Sequence, residues 1–288
     1  FSQFPTALKE RILASRLYLQ ELGTAQLSDV KQAIYGCESC DCEFRGQTVL
    51  DTVPSMFITC VFRLLQLRLT EAQLKSLINN RSLWARLAGF MYVRMGLHQD
   101  RYWDLLSGAL TDTEDFVPFP DRNSEVMSEG KFVEELLTKD KYCDISLPRI
   151  TTATRRLISE RMVLYDQFRR RYAANLEALD RYGQPGVDVE VCNVTGEWSA
   201  GKTTGPPTEG RRRVTVPVKF SGSGEEQDVC IGMLISPSSS ASSRDLTRSR
   251  GRSYEELVQK IREQQRESAV ASGKDYCRNS GRHTVHAG

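Results

Sequence analysis

Between Gly196 and Thr203 the chain reads GEWSAGKT, with the β-branched run VDVEVCNV just ahead of it. A glycine, four residues, then Gly-Lys-Thr is the letter pattern of a phosphate-binding loop. In such loops backbone amides and the lysine hold a nucleoside triphosphate at the start of a helix. Here Lys202 and Thr203 run into Thr204, Gly205, Pro206 and Pro207, and prolines so placed stop the helix that this chemistry requires. No later apolar strand ending in aspartate stands out to hold magnesium. The stretch is expected to be a polar hairpin loop, and nucleotide binding through residues 196–203 is the opposed reading.

Cys37, Cys40 and Cys42 raise a second possibility, a zinc knuckle. Structural zinc takes four ligands in a matching pair of pairs. The nearest further cysteine, Cys60, lies in an apolar run, and His98 stands alone. Loop thiols without metal are expected. Of three histidines, His283 and His286 fall in the last six residues, so His98 is the one base a histidine enzyme would have, and it reads as a surface residue beyond a helix end. The acidic groups Asp112, Glu114, Asp115, Glu134 and Glu135 read as solvated helix ends and faces. The basic runs Arg169–Arg171 and Arg211–Arg213 could meet RNA phosphates, but they lack interleaved stacking aromatics. No catalytic residue, cofactor or metal is predicted, and the chain is expected not to be an enzyme.

The elements that would position these residues follow from patterning. The chain has 288 residues, 40% hydrophobic and 26% charged, enough for one substantial domain with appendages or two small ones. A net charge of +2 supplies no global field for nucleic acid. The eight cysteines form no regular framework, and neither a signal peptide nor a membrane-length apolar run is seen, so a reducing compartment is expected.

Residues 6–182 read as nearly continuous helices. TALKERILASRLYLQEL is expected to be one helix burying Leu8, Ile12, Leu13, Leu19 and Leu22. Pro54 opens PSMFITCVFRLLQLRL, apolar nearly all round and so expected at the centre of the bundle. Thr70 and Gln73 form a capping box. SLWARLAGFMYVRMG ends at Gly96, and KFVEELLTKDKYCDISLPRI is expected to be helical up to Pro148. A long helix over 151–182 is expected to bury Leu157, Ile158, Met162, Tyr165, Phe168, Tyr172 and Leu176.

Beyond Pro185, VDVEVCNV, RRRVTVPVKF and DVCIGMLIS are candidate strands of a hairpin or three-stranded meander. The fold class expected is therefore all-α, with a small β appendage and a terminal helix. The divisions are 1–184 (helical), 185–235 (β-rich), 236–253 (Ser/Arg-rich linker) and 254–288 (terminal helix and tail).

The helical part resembles the pre-mRNA-splicing factor 38 family over roughly residues 10–165. The resemblance rests on ERILASRLYLQEL, VPSMFITCVFRLLQLRLT, INNRSLWARLAGFMYVRMG and FVEELLTKDKYCDISLPRI, in that order and spacing. It implies a nuclear, non-enzymatic scaffold that joins the spliceosome with the tri-snRNP and supports its activation. Implied partners are a matrin-type zinc-finger protein and a microfibrillar-associated splicing factor, with small nuclear RNA as a further contact and no membrane. The cysteine loop and the β-rich segment depart from the family pattern.

Partner-contact residues are expected where aromatics and arginines adjoin, at Trp84, Arg86, Tyr92, Arg94 and Trp103. In the following tract the acidic face, with Glu134, Glu135 and Asp144, is expected to meet basic partner segments, and Arg149 is expected to be a further partner contact. Trp198 and Arg211, Arg212 and Arg213 mark a further contact on the β-rich segment. An RNA-binding module acting through the basic runs is the alternative.

Overall fold

A computed structural model describes residues 4–45, 52–122, 124–143, 145–193, 196–235 and 254–271. The predicted linker 236–253, Asp144 and the tail beyond 271 lie outside them. The chain divides into two compact units, one of residues 1–158 with Arg211–Arg213, the other of residues 159–210 and 214–288.

In the first unit the helices are α1 (Thr6–Ala14), α2 (Leu27–Tyr35), α3 (Met56–Leu67), α4 (Glu71–Ile78), α5 (Leu83–Gly96), α6 (Tyr102–Leu106) and α7 (Glu129–Thr138). Short antiparallel pairs punctuate them: β1 (Glu43–Arg45) with β2 (Thr52–Pro54), β3 (Asp115–Phe116) with β4 (Met127–Ser128), and β5 (Lys141–Tyr142) with β6 (Ile145–Ser146). Helix α3 is capped by Ser55, whose hydroxyl accepts from the Ile58 amide at 3.1 Å. It buries Phe57, Ile58, Cys60, Val61, Phe62, Leu64 and Leu65, as an all-round apolar helix must. Helix α5 is enclosed still more completely, buried at every residue from Ala85 to Met95.

Two expected helices are shorter than their patterns. The first ends at Ser15, whose backbone is extended and whose hydroxyl donates to the Ile12 carbonyl and accepts from the Tyr18 amide. A π-helical turn, Tyr18–Leu22, follows. Phase is lost across that break, so Leu22 is buried while Leu19 is exposed, and within the first helix Leu13 lies one residue off the buried Leu8–Ile12 stripe and is exposed too. Helix α7 stops at Thr138, and the residues expected to continue it form the β5–β6 hairpin, turned at Cys143 with φ 50°.

Helix α8 (Thr152–Glu177) contains the boundary between the units. Ile158, Met162, Tyr165 and Phe168 keep helical spacing and are buried. Leu157, one residue off that stripe, and Leu176, one residue from the helix end, are exposed.

The second unit overturns the all-α expectation. Among the described residues it carries a six-stranded antiparallel sheet, too large for a hairpin or three-stranded meander. Its strands are β7 (Asp188–Cys192), β8 (Trp198–Thr203), β9 (Thr208–Glu209), β10 (Val214–Phe220), β11 (Glu226–Cys230) and β12 (Leu234–Ile235). The order is β11-β10-β8-β7-β12, with β9 on β10. DVCIGMLIS, which reads as one strand, is split by a 3-10 turn at Ile231–Met233, and its halves lie at opposite edges of the sheet. Two-residue strands have no periodicity to detect.

One face of the sheet is apolar by period-two alternation: Val189 and Val191, then Val214, Val216 and Val218, with Val229, Ile231 and Leu234. Tyr172, Leu179 and Tyr182 complete that core. Asn175 donates to the carbonyls of Ile231 and Leu234 at 2.6 and 2.8 Å and accepts from the Tyr182 hydroxyl at 2.9 Å. Helix α9 (Tyr254–Ala271) belongs to the same unit, and its Arg262 pairs with Glu160 through two bonds of 2.8 and 2.9 Å.

Candidate functional site

The phosphate-loop letters are not a loop. Residues 198–203 are strand β8, antiparallel to both neighbours, and Lys202 faces Asp188 across β7 at 3.2 Å. The Thr203 hydroxyl is buried, donating to the Gln184 carbonyl and accepting from the Val187 amide. Gly201 is required by packing, since a Cβ there would lie 2.7 Å from a Val218 methyl and 2.9 Å from the Lys219 carbonyl. No helix follows to present amides to a phosphate, so the nucleotide reading falls.

A concave site does exist in the first unit, built around α7 and the hairpin after it. Ser128 caps α7 by accepting from the Lys131 amide at 3.2 Å. Phe132, Val133, Leu136 and Leu137 recur at helical spacing and are buried. The β5–β6 hairpin folds back beside the helix and leaves a cavity of about 310 Å³. Its lining is Pro118, Phe119, Met127, Phe132, Glu135, Lys139, Lys141, Tyr142 and Cys143.

The floor is an edge-to-face aromatic ladder. Ring centroids are 5.9 Å apart for Phe119 and Tyr142, 5.7 Å for Tyr142 and Phe132, and 5.9 Å for Phe132 and Phe116. Trp84 continues the ladder at 6.1 Å from Phe116. Such contacts favour fixed ring geometry over loose collapse. The rim is charged, with Lys139 and Lys141 exposed and Glu135 paired to Lys139 at 2.7 Å.

Beneath this floor sits the cysteine loop. The Pro118 carbonyl accepts from the Cys40 amide at 3.1 Å and from the Ser39 hydroxyl at 3.2 Å, and the Tyr142 hydroxyl donates to the Cys40 carbonyl at 2.5 Å. Burial pushes the Cys37 thiol up to about 11 and lifts those of Cys40, Cys42 and Cys60 well above the ordinary range. Through its bonds to Pro118 and Tyr142 the loop underlies the groove wall.

Two buried arginines on α5 hold α7 at its two ends. Arg86 makes two 2.7 Å bonds to Glu129 in the first turn of α7, one of 2.5 Å to Glu114, and others to the carbonyls of Asn80 and Arg81. Burial lowers its pKa, but the Glu129 and Glu114 contacts outweigh that and leave it raised. Arg94 donates at 2.7 Å to the Leu136 carbonyl, one of the last-turn acceptors that a helix leaves unpaired, and lies 5.0 Å from the Tyr102 ring. At 1.5 Å per residue, Arg86 to Arg94 spans about 12 Å along α5, and Glu129 to Leu136 about 10.5 Å along α7. The spans match, so the two helices are fixed in register. At the start of α7 a Cβ on Gly130 would lie 2.5 Å from the Leu110 carbonyl, so the close approach needs glycine.

The predicted contact residues thus separate. Arg86, Tyr92 and Arg94 are buried, Trp84 and Trp103 are half-buried, and Arg149 is exposed. Glu134 and Glu135 are half-buried and paired with Lys131 and Lys139, so that face is largely neutralised. Asp144 lies outside the described residues. Arg212 and Arg213 both pair with the fully enclosed Asp112 side chain, and Arg211, exposed, lies 3.8 Å from Glu114. Half-buried Trp198 packs under Arg171, whose guanidinium is 5.5 Å from the ring. His98 is exposed beside Asp100 at 3.0 Å.

Of the predicted residues, Glu135 lines the groove. Phe119, Phe132, Lys139, Lys141 and Tyr142 were not expected there. The signal available was an aromatic held between prolines in VPFP, a rigid loop with a side chain too large for a polar turn.

The profile of the PRP38 family matches residues 2–160, more than half of the chain. A solved structure, the Snu23-Prp38-MFAP1(217-258) complex of Chaetomium thermophilum, is similar at 22% identity, covering 53% of this chain and 78% of that one, with a TM-score of 0.46. A search of curated proteins found no match.

Proposed function

Because the chain belongs to the PRP38 family, we propose that it is a non-catalytic scaffold of pre-mRNA splicing which captures segments of other splicing proteins in the α7–hairpin groove. The observation that carries this reading is the aromatic floor of Phe119, Phe132 and Tyr142 under a lysine rim. Its size and lining suit an apolar anchor residue of a peptide, with acidic neighbours meeting Lys139 and Lys141. Segments of an MFAP1-like microfibrillar-associated factor and of a Snu23-like matrin-type zinc-finger factor are the proposed occupants. Nuclear residence, arrival with the tri-snRNP and support of spliceosome activation complete the reading.

The test is affinity purification of the tagged chain with mass spectrometry, beside the Phe119→Ala/Lys141→Glu variant. Splicing proteins should co-purify with the first and at least one should be lost with the second. A folded variant retaining every splicing partner would remove the groove from the account. Absence of splicing proteins from both would remove the scaffold reading.

A further inference from the structure

The groove wall contains a thiol pair that the scaffold reading does not use. Cys143 lines the groove, is half-buried, and occupies the tip of the β5–β6 hairpin in the left-handed region at φ 50°. That conformation is uncommon for a residue with a Cβ. The Cys42 side chain, buried below, interacts directly with that of Cys143. The hairpin is held on the cysteine loop by the 2.5 Å bond from the Tyr142 hydroxyl to the Cys40 carbonyl, and the loop in turn by the Cys40 thiol on the Pro118 carbonyl at 3.4 Å. Both sulfurs therefore sit on segments already held to each other by hydrogen bonds.

We propose that Cys42 and Cys143 form a reversible disulfide under peroxide, a modification that closes one wall of the groove. Cys143 reaches the cavity and meets the oxidant first. Peroxide transfers one oxygen to the Cys143 thiol, giving a sulfenic acid and one water. The Cys42 sulfur then attacks the Cys143 sulfur, the S–S bond forms, and the displaced hydroxyl leaves with the Cys42 proton as a second water. A dithiol reductant reverses the bridge by exchange. Cys42 is buried and its thiol is held protonated, so the second step is slow and the bridge accumulates under sustained oxidant rather than in brief contact with it. Cys40 lies two residues before Cys42, but its thiol is engaged with the Pro118 carbonyl.

The effect on partner binding rests on the groove reading, whereas the bridge itself does not. The full chain is treated with hydrogen peroxide, remaining thiols are blocked, and peptides are mapped by mass spectrometry without reduction. The expected result is a linked pair containing Cys42 and Cys143, lighter by two hydrogens, retained in Cys40→Ser and absent in Cys143→Ser. Cys143 ending as a sulfinic acid, or linked to Cys40, would overturn the proposal, and wild-type mapping decides this even if a variant fails to fold. A splicing-factor peptide that binds the reduced chain should bind the oxidised chain at least tenfold more weakly and recover on reduction. A bridge formed without change in that affinity would refute the effect on the groove and leave the thiol chemistry standing.

Discussion

Replacing Arg86 by methionine tests the claim that α5 fixes the groove helix through a buried charge. Glu129 is fully enclosed and receives two 2.7 Å bonds from Arg86. Removing one partner of a buried pair strands the other charge, at about 3–5 kcal/mol. With a urea dependence of about 2 kcal/mol per molar, the midpoint should fall by about 2 M. The assay is urea unfolding followed by Trp84 fluorescence in a Trp103→Phe/Trp198→Phe background, because Trp84 reports the first unit through its contact with Phe116. The companion Arg86→Met/Glu129→Leu should recover at least half of the loss, since apolar residues of similar volume replace a buried pair at little cost. Arg86 also binds the Asn80 and Arg81 carbonyls, so recovery should be incomplete. A single variant costing under about 1 kcal/mol, or a double variant no better than the single, would refute the reasoning.

Two other expectations concern the motifs with which the sequence attracts notice. Gly201→Ala should destabilise the second unit by about 1–3 kcal/mol, because its Cβ meets Val218 and the Lys219 carbonyl, whereas Lys202→Ala should cost at most about 0.5 kcal/mol, its pair with Asp188 being largely exposed. Thermal unfolding would show the reverse order if the lysine were the residue that matters. With its pKa pushed up to about 11, Cys37 is thiolate in about one molecule per thousand at pH 8, so alkylation in the native chain should run at least a hundredfold slower than in urea. Native and denatured rates within tenfold of each other would show that the loop is open.

How much of this is legible in the sequence varies with how local the cause is. Helix α3 is legible because an uninterrupted apolar run has one stable location, the interior. The Thr70–Gln73 capping box is legible because both partners lie within one turn. The roles of Arg86 and Arg94 are not, because their partners lie 43 and 42 residues further along the chain. An arginine on a helix reads as surface until such a partner is known. Strand β8 misleads for a related reason, since Gly201 is chosen by the neighbouring strand and its letters happen to spell a phosphate loop. The groove was half legible: the tract from Phe132 to Tyr142 draws attention as a unit, but its fold into helix plus hairpin, and the meeting of Tyr142 with Phe119, depend on tertiary contact.

The central claim is that a partner segment seats an apolar anchor on Phe119 and Tyr142. Calorimetric titration of the purified chain with an MFAP1-like segment, for wild type and Phe119→Ala, measures it most directly. Loss of one central aromatic contact at an interface removes about 1–2 kcal/mol, so the account predicts binding to the wild type and an affinity lower by about tenfold in the variant. Equal affinity for the two folded proteins would contradict it.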